Sequence, residues 1–443
     1  MKNELKREAP ISIYPPIILY NTKDVDRIWE EKNIRSQAEE PANLYVHIPF
    51  CAQRCDFCYF TSFTAGDSTV RAYVEALQRE ILLLSKMPVV QRRRFHTVYI
   101  GGGTPTYLKT PYLSDIIQSL WTQLNIQREY EFCVEVRPGK EATEEKLRFL
   151  HEAGVNRISM GAQSFSQEVL DINGRKHKLE DFFTVYERLR EIGFANINID
   201  IMSGMAGDTD ISWKDSIDTV LRLAPENITV YKMHVYKSSE LYKKLDKMHK
   251  TGSVVEDEIE VGRIRYFYER MREAGYKLSA TPYTFTKSRA FDHSYRASRT
   301  GGDEVLGIGL SANSFMNGTV YQNTNSMEVY VNKLQEDVLP VKSAYVLPRE
   351  EEIKRALVFG LKTSKIDRKA FLQRYGADPV DICPEGFERM LRDGCIETDE
   401  AEIRLCAEAC LYADDIVRRY ILSEKERQME RLLVLHKNVR LKI

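Results

Sequence analysis

A chain of 443 residues with 43% hydrophobic content can fill one large barrel-like domain and a smaller one, and its composition is not that of a disordered protein. The 64 Lys and Arg against 65 Asp and Glu leave a net charge of −1, which removes any global electrostatic ground for nucleic-acid binding. No apolar run is long enough for a membrane span, and the mixed-charge N-terminus lacks a signal core, so no membrane or nucleic-acid partner and a cytoplasmic location are expected.

In chain order, residues 1–43 read as an N-terminal arm, with Pro15-Pro16 forcing an extended path and a short helix near Val25–Lys32. Tyr45-Val-His-Ile reads as the first strand, followed by a loop with Cys51, Cys55 and Cys58. Asp67-Ser68 then caps a helix that gathers Val70, Tyr73, Val74, Leu77, Ile81 and Leu84 on one face. Arg92-Arg93-Arg94, beside the Met87-Pro88 helix stop, reads as a solvated loop.

The pattern of strand then helix repeats. Strands are expected at His96–Ile100, Glu131–Val136, Val155–Met160, Ile197–Ile201 and Ile228–Met233. Between them lie helices over Pro111–Leu124, Glu141–Ala153, Gln167–Asn173, Leu179–Ile192 and Ser212–Leu223. Six strands alternating with helices imply α/β architecture with a parallel sheet and right-handed crossovers. Beyond Met233 the rhythm loosens: a helix over Asp257–Ala274, a strand over Tyr276–Ala280, and the glycine-rich Leu306-Gly-Ile-Gly-Leu-Ser-Ala312 returning toward the barrel. From Pro348 the register changes to short helices over Arg349–Gly360, Asp367–Tyr375 and Gly386–Asp393, short strands within Cys395–Leu405, and a charged helix over Ser423–Val434. The expected domains are therefore 1–43, 44–345 and 346–443.

Three cysteines within eight positions can converge on one inorganic centre. A 4Fe-4S cubane normally takes four cysteines, so three leave one iron open for a small molecule to chelate. Tetrahedral zinc would need a fourth ligand, for which His47 is the neighbouring candidate. A disulfide framework is poorly served by an odd trio. Cys133, Cys383, Cys395, Cys406 and Cys410 read as structural.

In parallel α/β folds ligands sit at the carboxyl ends of strands. There this chain places Gly101-Gly102-Gly103-Thr104-Pro105, Glu135 and Gln163, while Asp200 lies inside an apolar strand, where a carboxylate is costly unless paired.

The Cys-x3-Cys-x2-Cys loop after a first strand resembles the signature of radical S-adenosylmethionine (SAM) enzymes. The fuller Tyr45-Val-His-Ile-Pro-Phe-Cys51 resembles the oxygen-independent coproporphyrinogen III oxidase-like family, over about residues 44–420. The resemblance implies an incomplete (β/α)6 TIM-like barrel with a small winged-helix-like C-terminal domain. That domain lacks a basic recognition face, and a lid or substrate-cap role is expected of it. It also implies one 4Fe-4S cluster on Cys51, Cys55 and Cys58 and two SAM. The SAM contacts would come from Tyr45, Phe57, Gly102, Gly103, Thr104 and Glu135, and, for the second SAM, from Gln163, Arg175 and Asp200. Glu135, Gln163 and Asp200 are the expected catalytic residues. The implied partners are a small-molecule substrate and an electron donor such as flavodoxin or ferredoxin.

Coproporphyrinogen oxidases carry a further cysteine soon after the trio, where this chain has Tyr59-Phe60-Thr-Ser-Phe63. The expected reaction is therefore SAM cleavage to a 5'-deoxyadenosyl radical followed by transfer of a SAM-derived carbon, as in the class C methyltransferase and cyclopropanase branch. Oxidative decarboxylation in porphyrin biosynthesis and haem binding by a chaperone of the same lineage are the alternatives.

Overall fold

A computed structural model describes residues 11–30, 40–235, 239–247, 257–279, 281–363, 365–406 and 409–439. Six strands, β1 (Glu40–Ile48), β2 (Arg93–Gly102), β3 (Ile126–Val136), β4 (Arg157–Gln163), β5 (Ile197–Ser203) and β6 (Asn227–Lys232), lie side by side in parallel, each joined to the next through helices. Helix faces explain the layer: in Leu179–Ile192 the buried residues are Phe182, Val185, Tyr186 and Leu189, at helical spacing, and Gly193 closes the helix at φ 106°. The expected α/β partial barrel is the fold observed.

The sheet extends beyond these six strands. On one side β7 (Lys277–Leu278) and β8 (Thr284–Thr286) add antiparallel pairs to β6. On the other, β9 (Glu304–Ile308) pairs parallel with β1. It leads into the antiparallel β10 (Asn313–Met316), β11 (Thr319–Asn323) and β12 (Val341–Val346), giving a twelve-stranded sheet. The glycine-rich return is thus the end of a barrel strand beside the cysteine loop's own strand. Ala280, the last residue of the expected Tyr276–Ala280 strand, lies outside the described residues.

Two expectations are corrected. Arg93 is not in a solvated loop: it opens β2, is 1% exposed, and donates through Nε to Glu304 at 2.5 Å and through Nη2 at 3.2 Å, tying β2 to the start of β9. A run of three arginines carries no local mark of which one will meet a carboxylate 211 positions away. The helix near Val25–Lys32 is only a 3-10 turn, Asp26–Ile28, and its last two residues lie outside the described residues.

The described part of the arm packs on the rest of the fold. Asn21 exchanges two backbone hydrogen bonds with Ala344, at 2.8 and 2.9 Å. Ile11 and Tyr14 enter a second apolar core with Leu357, Phe387, Met390 and Ile416, and the Ile11 N–H donates to Asp414 at 2.8 Å. That core belongs to the C-terminal helices and the sheet of β13 (Lys365–Asp367), β14 (Ile396–Thr398) and β15 (Glu402–Leu405). No helix among the described residues is long and apolar enough to cross a membrane.

One buried carboxylate holds the glycine return in place. Glu80, on the helix Asp67–Ser85, accepts from Gly309 N at 2.8 Å, Asn323 Nδ2 at 2.6 Å and Tyr330 OH at 2.5 Å. Tyr73, two turns earlier, accepts from Leu310 N and donates to the His47 carbonyl at 2.6 Å. Burial pushes the Glu80 carboxyl up to about 7, so the folded chain holds its proton more tightly than the unfolded chain does. Stability from this group is complete below the ordinary carboxylate range and is lost as pH rises through about 7. Denaturant titrations at about pH 5 and pH 7.5 are expected to show wild type losing about 2 kcal/mol more than Glu80→Gln.

Candidate active site

The cysteine loop is closed at its neck by Cys51 N donating to Phe63 O at 3.0 Å and Phe63 N donating to Pro49 O at 2.7 Å. His47 braces it from below. Its Nε2 lies 3.1 Å from Thr61 O and its Nδ1 2.9 Å from Tyr45 OH, the geometry of a ring donating to the carbonyl and accepting from the phenol. Burial pulls its pKa down to about 4, so it stays neutral. Both ring nitrogens are engaged, which removes His47 as a fourth metal ligand and with it the zinc alternative.

Three further contacts shape the loop. Arg137 Nη1 donates to Gln53 O at 2.7 Å, Arg54 Nη2 to Cys58 O at 2.8 Å, and Asp56 N to Asn173 O at 3.2 Å. Cys51 and Cys58 sense each other and Cys55 electrostatically, and burial pushes both their thiols up. The Cys51 and Cys58 thiols, costly to ionise alone, are donors that metal ligation would relieve, and Cys55 stands between them in the loop. Two cationic or polar groups already lean on them: Arg175 Nη1 at 3.6 Å from Cys55 Sγ and Thr104 Oγ1 at 3.5 Å from Cys51 Sγ. No three His, Cys, Asp or Glu among the described residues are gathered tightly enough for a single metal ion. Three thiols from one loop are the donor set of a cluster that keeps one iron open.

The glycine turn after β2 packs directly against this loop: Gly103 N donates to Ile48 O at 2.8 Å and Thr104 N to Phe50 O at 2.7 Å. Gly102 has φ +112°, and a Cβ there would sit 2.5 Å from the His47 ring, so only glycine brings the backbone this close. Its N–H donates to Glu135 Oε2 at 3.0 Å, while Tyr99 OH donates to Glu135 Oε1 at 2.6 Å. Burial raises the Glu135 carboxyl to about 7 against the pull of those two donors.

Deeper in the barrel, Asp200 accepts from Asn198 Nδ2 at 2.7 Å and Ser159 Oγ at 3.2 Å. Burial raises its pKa, and the Arg296 guanidinium opposes the rise. At the end of β4, Gln163 is held at φ 70°, in the left-handed region, with its buried Oε1 unpartnered. Strain of that kind in a non-glycine residue, beside a donor or acceptor left open, marks a site shaped for something other than packing. Arg175, which reaches Cys55, also donates through Nη2 to the Gly161 carbonyl, and its buried Nε is unpartnered.

Tyr45 stacks on Tyr99 and Tyr295 with centroids 6.1 and 6.4 Å apart. Phe57 packs on the apolar group of Val169, Met205 and Met233. The structure therefore brings Tyr45, Gly102, Gly103, Thr104, Glu135, Gln163, Arg175 and Asp200 to one rim with the cysteines, and leaves Phe57 on its flank.

Sequence reading missed the aromatic wall. Tyr99, Tyr295 and His293 stack with centroids 5.0 to 6.1 Å apart, and Arg296, on the helix Ser294–Thr300, donates to Tyr231 OH. A signal existed in β2, where Thr97, Tyr99 and Gly101 alternate with the buried Val98 and Ile100. The sheet's period of two turns that polar set into the barrel. Nothing local tied Tyr295 or Arg296 to it.

The Radical SAM superfamily profile matches residues 45–220. The chain is similar to the heme chaperone HemW of Bacillus subtilis (strain 168), 30% identical over 384 residues that span 86% of this chain and 99% of that protein. It is also similar to the oxygen-independent coproporphyrinogen III oxidase of Escherichia coli (strain K12), 25% identical over 394 residues and 85% of each chain. The solved structure of coproporphyrinogen III oxidase (HemN) from Escherichia coli superposes with a TM-score of 0.78 at 24% identity, covering 92% of this chain and 96% of that one, which shows the shared fold.

These similarities overturn the expected carbon transfer and the class C methyltransferase branch, because the full-length relatives are a haem chaperone and coproporphyrinogen oxidases. The physical reason is that the expectation rested on Gln163, Arg175 and Asp200 as cofactor contacts, whereas the reaction depends on which substrate bond is held beside the cofactor. The cofactors are a 4Fe-4S cluster and SAM, and the chemistry requires an external reductant. By its cysteine loop, its barrel and its end-to-end similarity to these relatives, the chain belongs to the HemN-like family of the radical SAM superfamily.

Proposed function

We propose that this chain is a haem-handling protein of the chaperone type, carrying a 4Fe-4S cluster on Cys51, Cys55 and Cys58 and binding SAM across the adjoining strand ends. The observation that carries the reading is the 30% identity over 99% of a haem chaperone's length. The absence of a cysteine in Tyr59-Phe60-Thr-Ser-Phe63, where the oxidase resemblance asks for one, supports it. So does the stacked, half-exposed pair Tyr59 and Phe60, with centroids 4.4 Å apart, a flat apolar surface beside the cluster loop suited to a macrocycle face.

When bound, the cluster supplies one electron to SAM. The chain's own groups do the positioning. Glu135 offers its carboxylate to the SAM ammonium while its two donors hold it in place, and the Gly102-Gly103 backbone lines the approach. Arg175 and Arg137 offset negative charge around the cysteines. Gln163 and Asp200, with Arg175, are the groups available to a second SAM. The reductant would be a low-potential carrier such as flavodoxin or ferredoxin.

One observation favours the oxidase as a second reading: Arg296 places a buried cation within electrostatic reach of Asp200, where a propionate could be received. Anaerobic holoprotein is expected to bind haem one to one by visible absorption and to release no carbon dioxide from coproporphyrinogen III with SAM and reductant. Carbon dioxide release without haem binding would establish the oxidase instead, and the loss of both signals would remove both readings.

A further inference from the structure

The seam between the barrel and the C-terminal helices buries an arginine whose Nε has no acceptor among the described residues. Arg355, on the helix Arg349–Leu361, is 6% exposed. Its guanidinium carbon lies 3.8 Å from the Phe315 ring centroid and 4.8 Å from that of Phe359. Rings packed on a guanidinium satisfy its faces and leave its in-plane N–H donors open. Here Nε has no partner, and no carboxylate pairs with Arg355 among the described residues. A cation over aromatic rings recovers less than the desolvation of a buried charge costs, so an unpaired ion here calls for an anion.

A second arginine acts on it. Arg299, on Ser294–Thr300, repels Arg355 electrostatically, contacts the Tyr295 hydroxyl and donates to the Ser12 carbonyl at 3.4 Å. Burial, with Arg299 adding to it, pulls the Arg355 guanidinium down to about 10. Of the acids nearby, Glu352, which attracts Arg355 only electrostatically, pairs with Arg349 at 3.2 Å, Asp303 pairs with Arg374 at 2.5 Å and Glu426 pairs with Lys354 at 2.6 Å. Glu351 contacts Tyr345, while its buried Oε2 has no partner among the described residues. One helical turn before Arg299, about 4.5 Å along the axis, stands Arg296 in the barrel interior. Guanidiniums thus run from the candidate site to the seam.

We propose that Arg299 and Arg355 form a carboxylate-receiving site at this seam, and that on the tetrapyrrole reading, on which the ligand's identity rests, it takes a propionate of the macrocycle. Planar guanidiniums match carboxylates through paired N–H donors, which a lone ammonium does not. If Arg355 were only a latch between the two cores, its loss would lower stability and leave ligand choice untouched.

The test uses the anaerobic full-length holoprotein, with protoporphyrin IX and its dimethyl ester as probes that share a macrocycle and differ in charge. Wild type is expected to bind the acid at least about tenfold tighter than the ester. Arg299→Met and Arg355→Met should each abolish that preference, and Arg355→Met should melt no lower than wild type. Equal binding of acid and ester by wild type, or a preference that survives in both variants, overturns the site. Should Arg355→Met fail to fold, the half-buried Arg299→Met decides alone. If neither porphyrin binds wild type, the tetrapyrrole reading falls, and melting in succinate decides the site. A rise in Tm in wild type that is absent in Arg299→Met retains it as a carboxylate site, and no rise removes it.

Discussion

Cys55→Ala is expected to abolish the brown chromophore of the reconstituted protein and to reduce reductive SAM cleavage by well over about a hundredfold, since losing a ligand exceeds the 10- to 100-fold effect of losing an outer-shell partner. Cys55 stands in the middle of the trio, with Cys58 N donating to its carbonyl at 3.1 Å and Arg175 Nη1 at 3.6 Å from its sulfur. Its removal leaves only Cys51 and Cys58, whose thiols burial pushes up, too few to hold the cluster. Cys133→Ala is the control: that thiol is fully buried on β3, accepts from Arg157 Nη1 at 3.3 Å and faces the barrel's polar interior. It should lose stability by about 1–3 kcal/mol and keep both chromophore and cleavage. Cluster and cleavage retained in Cys55→Ala would end the assignment of the trio.

SAM binding is expected to strengthen as pH rises from about 6 to about 8, by about tenfold in Kd, and Glu135→Gln is expected to flatten the dependence. The sign follows from the carboxyl's position. Burial holds it near 7 in the ligand-free protein, so at pH 6 it is mostly protonated and offers no charge to an ammonium, while at pH 8 it is ionised. Glutamine keeps the acceptor for Tyr99 OH but turns an N–H toward the Gly102 N–H, two donors face to face. The lost charge-assisted contact amounts to about 2–3 kcal/mol, roughly a 30- to 150-fold weakening at pH 8. Equilibrium dialysis across this range checks it. A wild-type affinity that does not change with pH would remove Glu135 from the ammonium's site.

Much of the site was legible because it is local. Three cysteines within eight positions and a glycine turn followed by Thr104 are short-range patterns, and the strand ends that carry Glu135 and Gln163 follow from helices and strands with strong periodicity. What the residues did not decide was the reaction. The expected carbon transfer rested on residues read as cofactor contacts, which do not select a product, and the relatives are a haem chaperone and a coproporphyrinogen oxidase.

By itself the sequence determined the alternation of strands and helices, the cluster-binding loop and the need for glycine beside it, since each depends on neighbours a few residues apart. Only the tertiary structure turned His47 from a possible ligand into a brace, moved Arg93 from solvent to a buried pairing with Glu304, and anchored the arm in the C-terminal core. It alone brought Tyr295 and Arg296 to the wall opposite Glu135 and set Arg355 against Phe315 and Phe359. The physical reason is common to all of these. A side chain's partner across a sheet or a domain seam is set by strand register and by packing of the whole chain, and residues 100 or more positions apart carry no local mark of meeting.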